Sequence, residues 1–117
     1  MEQIRTKADF DQTISGSGLT VAVFRADWCG DCHFIDPFMP EVEEQRKDQV
    51  KLIQVDVEEV EEVSQELNIL GIPSFVAFSE GKELIRFVNK ARKSRAEIET
   101  FLDRAVEVHT QLASQRS

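Results

Sequence analysis

Cys29 and Cys32 are the whole thiol content of this 117-residue chain, and only two residues separate them. Cysteines three apart on a helix lie one turn away on the same face, close enough to close a disulfide. Leu19 to Phe24, a run of apolar and β-branched residues, comes just before the pair. Phe34, Ile35, Phe38 and Met39 follow it at helical spacing. The Cys-x-x-Cys therefore falls where a buried strand ends and a helix begins. The first turn of a helix presents free N–H groups and a partial positive charge, which stabilise an anion. A cysteine placed there becomes a thiolate, the nucleophilic form, more readily than a free one. The chemistry implied is thiol–disulfide exchange.

Two other uses of these residues exist. Cys29-Gly30-Asp31-Cys32-His33 also reads as the Cys-x-x-Cys-His of covalent haem attachment. In bacteria that chemistry requires export, and Met1 to Arg5 contains no apolar leader. The alternative to an enzyme is a non-catalytic binding or metal-binding module, with zinc on Cys29, Cys32 and His33. One turn supplies three such ligands, whereas structural zinc takes four. No metal and no cofactor are expected.

Composition narrows the classes. With 41% apolar and 31% charged residues, the chain fits a single globular domain, 1–117, rather than a disordered one. No apolar run reaches the roughly 20 residues that span a bilayer. The formal net charge of −8 argues against nucleic acid and anionic membranes as partners. A cytoplasmic location is expected, where a lone Cys-x-x-Cys is redox-active more often than structural.

The remaining elements follow from pattern. Thr6 caps a helix that carries Phe10 and Ile14, and Ser15-Gly16-Ser17-Gly18 ends it. The helix after the cysteines runs to about Lys47 and is interrupted by Pro37 and Pro40. Val50 to Val57 reads as a second strand. Val60, Val63 and Leu67 mark a short helix whose glutamates, Glu58 to Glu66, form a solvated face. Ser74 to Phe78 and Glu83 to Val88 form a hairpin around Ser79-Glu80-Gly81-Lys82. Ser94-Arg95-Ala96-Glu97 is a capping box opening a last helix with Ile98, Phe101, Leu102 and Ala105, frayed from about Ala113. A β-α-β front half and a hairpin-helix back half make a mixed sheet with helices on both faces.

Four motifs together resemble the thioredoxin family. Trp28-Cys29-Gly30-Asp31-Cys32 is similar to its Trp-Cys-Gly-Pro-Cys, and Pro37 stands where its active-site helix kinks. Gly71-Ile72-Pro73-Ser74 resembles its Gly-Ile-Pro-Thr loop, and Phe78-Ser79-Glu80-Gly81-Lys82 its hairpin turn. The resemblance implies an α/β thioredoxin fold, with a mixed parallel/antiparallel sheet of four to five strands. It implies a disulfide reductase in which Cys29 is the exposed nucleophile and the more buried Cys32 resolves the mixed disulfide. Trp28, Gly30 and Asp31 would form the surroundings, with Trp28 packed beside the site. Ile72 would offer backbone groups to an extended substrate, and Pro73, after a cis bond, would shape that loop. His33 would be a solvent-facing residue of the first turn. Partners implied are a protein or small-molecule disulfide and a recycling reductase such as a thioredoxin reductase. A monomer is expected.

Three departures accompany the resemblance. Asp31 replaces the proline between the cysteines, as in a related subgroup that reduces small or selected disulfides. Val23 and Leu52 stand where the family keeps a buried aspartate beneath the second cysteine and its lysine partner. Removing both charges is coherent, since one alone would be unpaired in the core. Asp31 also places a negative charge beside Cys29. The cations Lys90, Arg92, Lys93 and Arg95, entering the last helix, are expected to form a basic patch that offsets it and attracts acidic disulfides.

Overall fold

The computed structural model describes residues 1–115. Its elements run β1 Glu2–Ile4, α1 Lys7–Ile14, β2 Thr20–Arg25, α2 Gly30–Ile35, α3 Met39–Arg46, β3 Lys51–Asp56, α4 Glu61–Glu66, β4 Ser74–Ser79, β5 Lys82–Phe87 and α5 Arg95–Gln115. The sheet order is β1-β3-β2-β4-β5. β3 pairs in parallel with β1 and β2. β4 pairs antiparallel with β2 and β5. β2 thus lies at the centre, buried along its length except at Arg25, as its nearly continuous apolar run requires.

Alternation along β2 builds two cores. Val21 and Val23 face one side with Leu52, Phe75 and Ala77, covered by Ile35, Met39 and Val42 from α2 and α3 and by Ile98, Phe101 and Leu102 from α5. Ala22 and Phe24 face the other with Ile53, Val55 and Val76, covered by Phe10 and Ile14 of α1 and by Val60 and Val63 near α4. A one-residue slip would exchange these faces, so the pattern fixes the register.

Local chemistry sets the ends. The Thr6 hydroxyl accepts the Asp9 N–H at 3.1 Å, a cap of the kind that contributes about 1 kcal/mol. Ser94 and Glu97 exchange backbone N–H bonds at 3.0 and 3.2 Å, completing the capping box. The hairpin turns on Glu80 and Gly81, both at positive φ, as a two-residue loop demands.

Two boundaries differ from expectation. The helix after the cysteines is two helices. Pro37, which has no N–H to donate, falls in the break, while Pro40 sits in the first turn of α3. There a missing N–H costs nothing, so Pro40 starts a helix instead of interrupting one. The last helix does not fray from Ala113: α5 continues to Gln115, and the rest of the expected tail, 116–117, lies outside the described residues. Among the described residues no helix is long and apolar enough to cross a membrane.

Candidate active site

β2 delivers the chain to Ala26, and α2 begins at Gly30, so the cysteines lie at the C-terminal edge of the central strand. Cys29 is the N-cap of α2, and its sulfur accepts the Cys32 backbone N–H at 3.2 Å. Its thiol also lies 3.8 Å from the Ile72 carbonyl oxygen. Both cysteines are free thiols. Cys32 is 0% exposed and Cys29 only 7%. The expectation of an exposed Cys29 is thereby corrected: Ala26, Val57 and Ile72 pack around both residues. The accessible remnant nevertheless belongs to Cys29. Burial, and next the hydrogen bond with Cys29, push the Cys32 thiol up to about 12. A backbone hydrogen bond at Ala26 and the positive charge of Arg25 work in the opposite direction.

The Ile72–Pro73 bond is cis. The Ser74 hydroxyl donates to the Gly71 carbonyl and closes the loop locally. A shallow groove beside the cysteines is lined by Trp28, Val57, Ile69, Leu70, Gly71 and Ile72. Trp28 is 69% exposed, with its indole N–H donated to the Glu58 carboxylate. It is neither a core tryptophan nor a lid over the thiols; it forms a wall of the groove. Glu58, read as part of a solvated acidic face, is the residue that holds it.

A family model described as Thioredoxin matches residues 2–104. The chain belongs to the thioredoxin family. It is 38% identical to a thioredoxin of Mycoplasmoides gallisepticum over 82 residues, covering 70% of this chain and 81% of the relative. Thioredoxin-1 of Saccharomyces cerevisiae is 34% identical over 86 residues, covering 74% and 82%. Among solved structures, a thioredoxin of Fasciola hepatica superposes with a TM-score of 0.76 at 30% identity, covering 93% of this chain and 99% of that one. The fold is the thioredoxin fold, and Cys29 and Cys32 stand at the family's Trp-Cys-Gly-x-Cys positions. The chain is a thiol–disulfide oxidoreductase of the disulfide-reducing kind.

Against that family frame, the departures become specific. Val23 and Leu52 are buried in the apolar core, so no carboxylate–ammonium pair lies under this active site. Arg25, which reading by motif passed over, ends β2 with a side chain only 13% exposed and pairs both its terminal nitrogens with Asp36 of the α2 C-cap. Its signal was available: it is the single charge closing an otherwise apolar strand. His33 faces solvent as expected, with Nδ1 3.2 Å from Asp36 and Nε2 on the Asp27 carbonyl oxygen. Its ring is held on the side of Asp36 and Asp27, and among the described residues no three His, Cys, Asp or Glu groups gather as a metal site.

The expected basic patch is taken apart by the structure. Arg92 Nε donates to Asp31 Oδ1 at 2.9 Å, and its guanidinium lies 4.5 Å from the centre of the Phe34 ring. Lys93 is 1% exposed. Its ammonium donates to Asn89 O, Asn89 Oδ1 and Ala91 O, each at 3.1 Å. Burial holds Lys93 below the usual lysine range, against the pull of Asp31, Glu97 and the two cysteines. Arg95 turns to Glu41 and Glu99. With Lys93 buried and Arg95 paired to α3 and its own helix, a surface patch of four cations is not present; Arg92 pairs directly with Asp31.

Proposed function

We propose that Cys29 is the attacking thiolate and Cys32 the resolving thiol of a dithiol reductant acting on protein or small-molecule disulfides. The observation that carries this reading is Cys29 Sγ at the N-cap of α2, where the Cys32 N–H and the helix end meet the negative charge of a thiolate. Cys29 attacks one sulfur of the substrate disulfide. That S–S bond breaks, the departing thiolate takes up a proton, and a mixed disulfide remains on Cys29. Cys32 then loses its proton and attacks Cys29. The second substrate thiol leaves, and Cys29–Cys32 is left oxidised by two electrons. Ile72 and Pro73 form the wall against which the substrate chain lies, with the Ile72 backbone offered to it; Trp28, Gly30 and Asp31 shape the approach. Pro73 keeps the loop in place.

The oxidised pair needs a recycling reductase, such as a thioredoxin reductase. We place the protein in the cytoplasm, where a single Cys-x-x-Cys is redox-active more often than structural, and read it as a monomer of one domain. The test is a pair of serine variants. Cys29→Ser is expected to abolish insulin disulfide reduction, and Cys32→Ser to stop after one attack as a mixed disulfide detectable by mass. Wild-type turnover by Cys32→Ser would overturn the two-thiol assignment.

A further inference from the structure

We infer that Arg92 is a carboxylate receptor at the mouth of the active site, and that the protein prefers disulfides carrying a carboxylate near the sulfurs. This deepens the reading under Proposed function and rests on it.

The placement of Arg92 is unusual for a surface arginine. Its Nε is bonded to Asp31, the residue immediately before Cys32. The guanidinium carbon lies over the Phe34 ring, 4.5 Å from its centre, a cation–π contact that restrains the side chain. Among the described residues, neither terminal nitrogen has a hydrogen-bond partner. The side chain is 60% exposed, so these terminal groups are open to solvent. A guanidinium held by Nε and by one face, with its far edge open, presents the parallel N–H pair that binds a carboxylate with two hydrogen bonds.

The loop that carries Arg92 is braced from both sides. Lys93, the next residue, is buried and bonds three oxygens of the 89–91 turn. The backbone of Asn89 packs directly on Gly71, the residue before Ile72. Arg92 is therefore tied at once to α2 through Asp31 and Phe34, and to the loop of Ile72 and Pro73 through Asn89.

Charge supports the same ligand. The whole protein carries −8, so an anionic disulfide is repelled at long range, and a local donor is what selects it. Asp31 occupies one edge of Arg92 and cancels its charge at a distance. Recognition then depends on contact geometry instead of on steering.

The experiment uses the full, pre-reduced chain in single turnovers, so no recycling reductase is needed. The probes are 3,3′-dithiodipropionate and the uncharged bis(2-hydroxyethyl) disulfide. Free thiols are quantified after acid quench. Expected is a ratio of anionic to neutral rate constants that falls at least tenfold in Arg92→Gln. The same fall is expected when Arg92→Gln is made in the Asp31→Asn background. A ratio that does not change in Arg92→Gln overturns the inference. So does a ratio that changes only while Asp31 is present, because Arg92 would then merely mask that carboxylate. If wild-type protein reduces neither probe, the thiol roles themselves fail, and the inference with them; if it reduces both without an effect on the ratio, only the receptor fails.

Discussion

Gly71→Ala puts the bracing of this site to a direct test. An added Cβ at Gly71 would stand 2.6 Å from the Asn89 carbonyl carbon and 2.9 Å from the Lys90 nitrogen, with the Asn89 oxygen closer still. Ordinary contact begins at 3.4 Å, so the 89–90 backbone must withdraw by about 0.8 Å or more, and overpacking of this kind costs about 1–3 kcal/mol. The upper part of that range applies, because the obstacle is backbone and the Lys93 ammonium holds Asn89 O, Asn89 Oδ1 and Ala91 O in place. Gly71 does not have a positive φ, so the strain is steric only. A glycine in open space would show the opposite sign, a gain of about 0.4–1 kcal/mol from the stiffer unfolded chain. Gly18, with nothing within 4 Å, supplies that control. The expected net loss for Gly71→Ala is about 1–2.6 kcal/mol in urea unfolding. Because Arg92 rides on the displaced segment, the preference for a carboxylate-bearing disulfide should fall as well. A Gly71→Ala protein as stable as Gly18→Ala, with unchanged preference, would show that the contact between the two loops positions nothing.

Two further substitutions probe the missing buried charges. Val23→Asp places an unpaired carboxylate in a fully buried position and should cost about 3–5 kcal/mol at pH 7. Burial raises that carboxyl above its unfolded value, so stability should fall as pH rises from 4 to 7, and adding Leu52→Lys should recover part of it; urea midpoints independent of pH would refute this. Arg25→Met removes a charge that holds Cys32 down. The Cys32 thiol should then be pushed further up, and release of the second thiol from a preformed mixed disulfide should slow; an unaltered release rate would remove Arg25 from the resolving step. In the wild type the same release should accelerate as pH rises above neutral, because burial holds the Cys32 thiol up and its thiolate is the attacking form; a pH-independent release rate would count against Cys32 as the resolving thiol.

What could be read from sequence was what local rules decide. The Thr6 cap, the Ser94–Glu97 box and the alternation in β2 depend on residues a few positions apart, and each is found in place. The Cys-x-x-Cys at a strand–helix junction is also local, and its N-cap geometry follows. What escaped was the partner of a side chain. Glu58, which accepts the Trp28 indole N–H, is 30 residues away in sequence. Lys93 reads as a surface cation because lysine is almost never fully buried unless paired; its partners are carbonyl groups of its own turn, invisible as a charge pattern. Pro40 was read as a break because the break itself comes three residues earlier, at Pro37, and a proline just after a break is a start.

The fate of Arg92, Lys93 and Arg95 bears on how an aspartate can sit between the redox cysteines. Like charge next to a thiolate opposes it, and Asp31 is adjacent to Cys32 and two residues from Cys29. The protein does not answer with a diffuse positive surface, which salt would screen. Arg95 is spent on Glu41 and Glu99, joining α5 to α3. Lys93 is withdrawn into the interior, where its charge still bears on Asp31, Glu97 and both cysteines through a medium that screens less than water does. Arg92 meets Asp31 directly. Asp31 thus meets one cation by direct contact and another through the interior. With no buried carboxylate at Val23, the charges near Cys32 come from Arg25, Lys93 and its own neighbour Cys29.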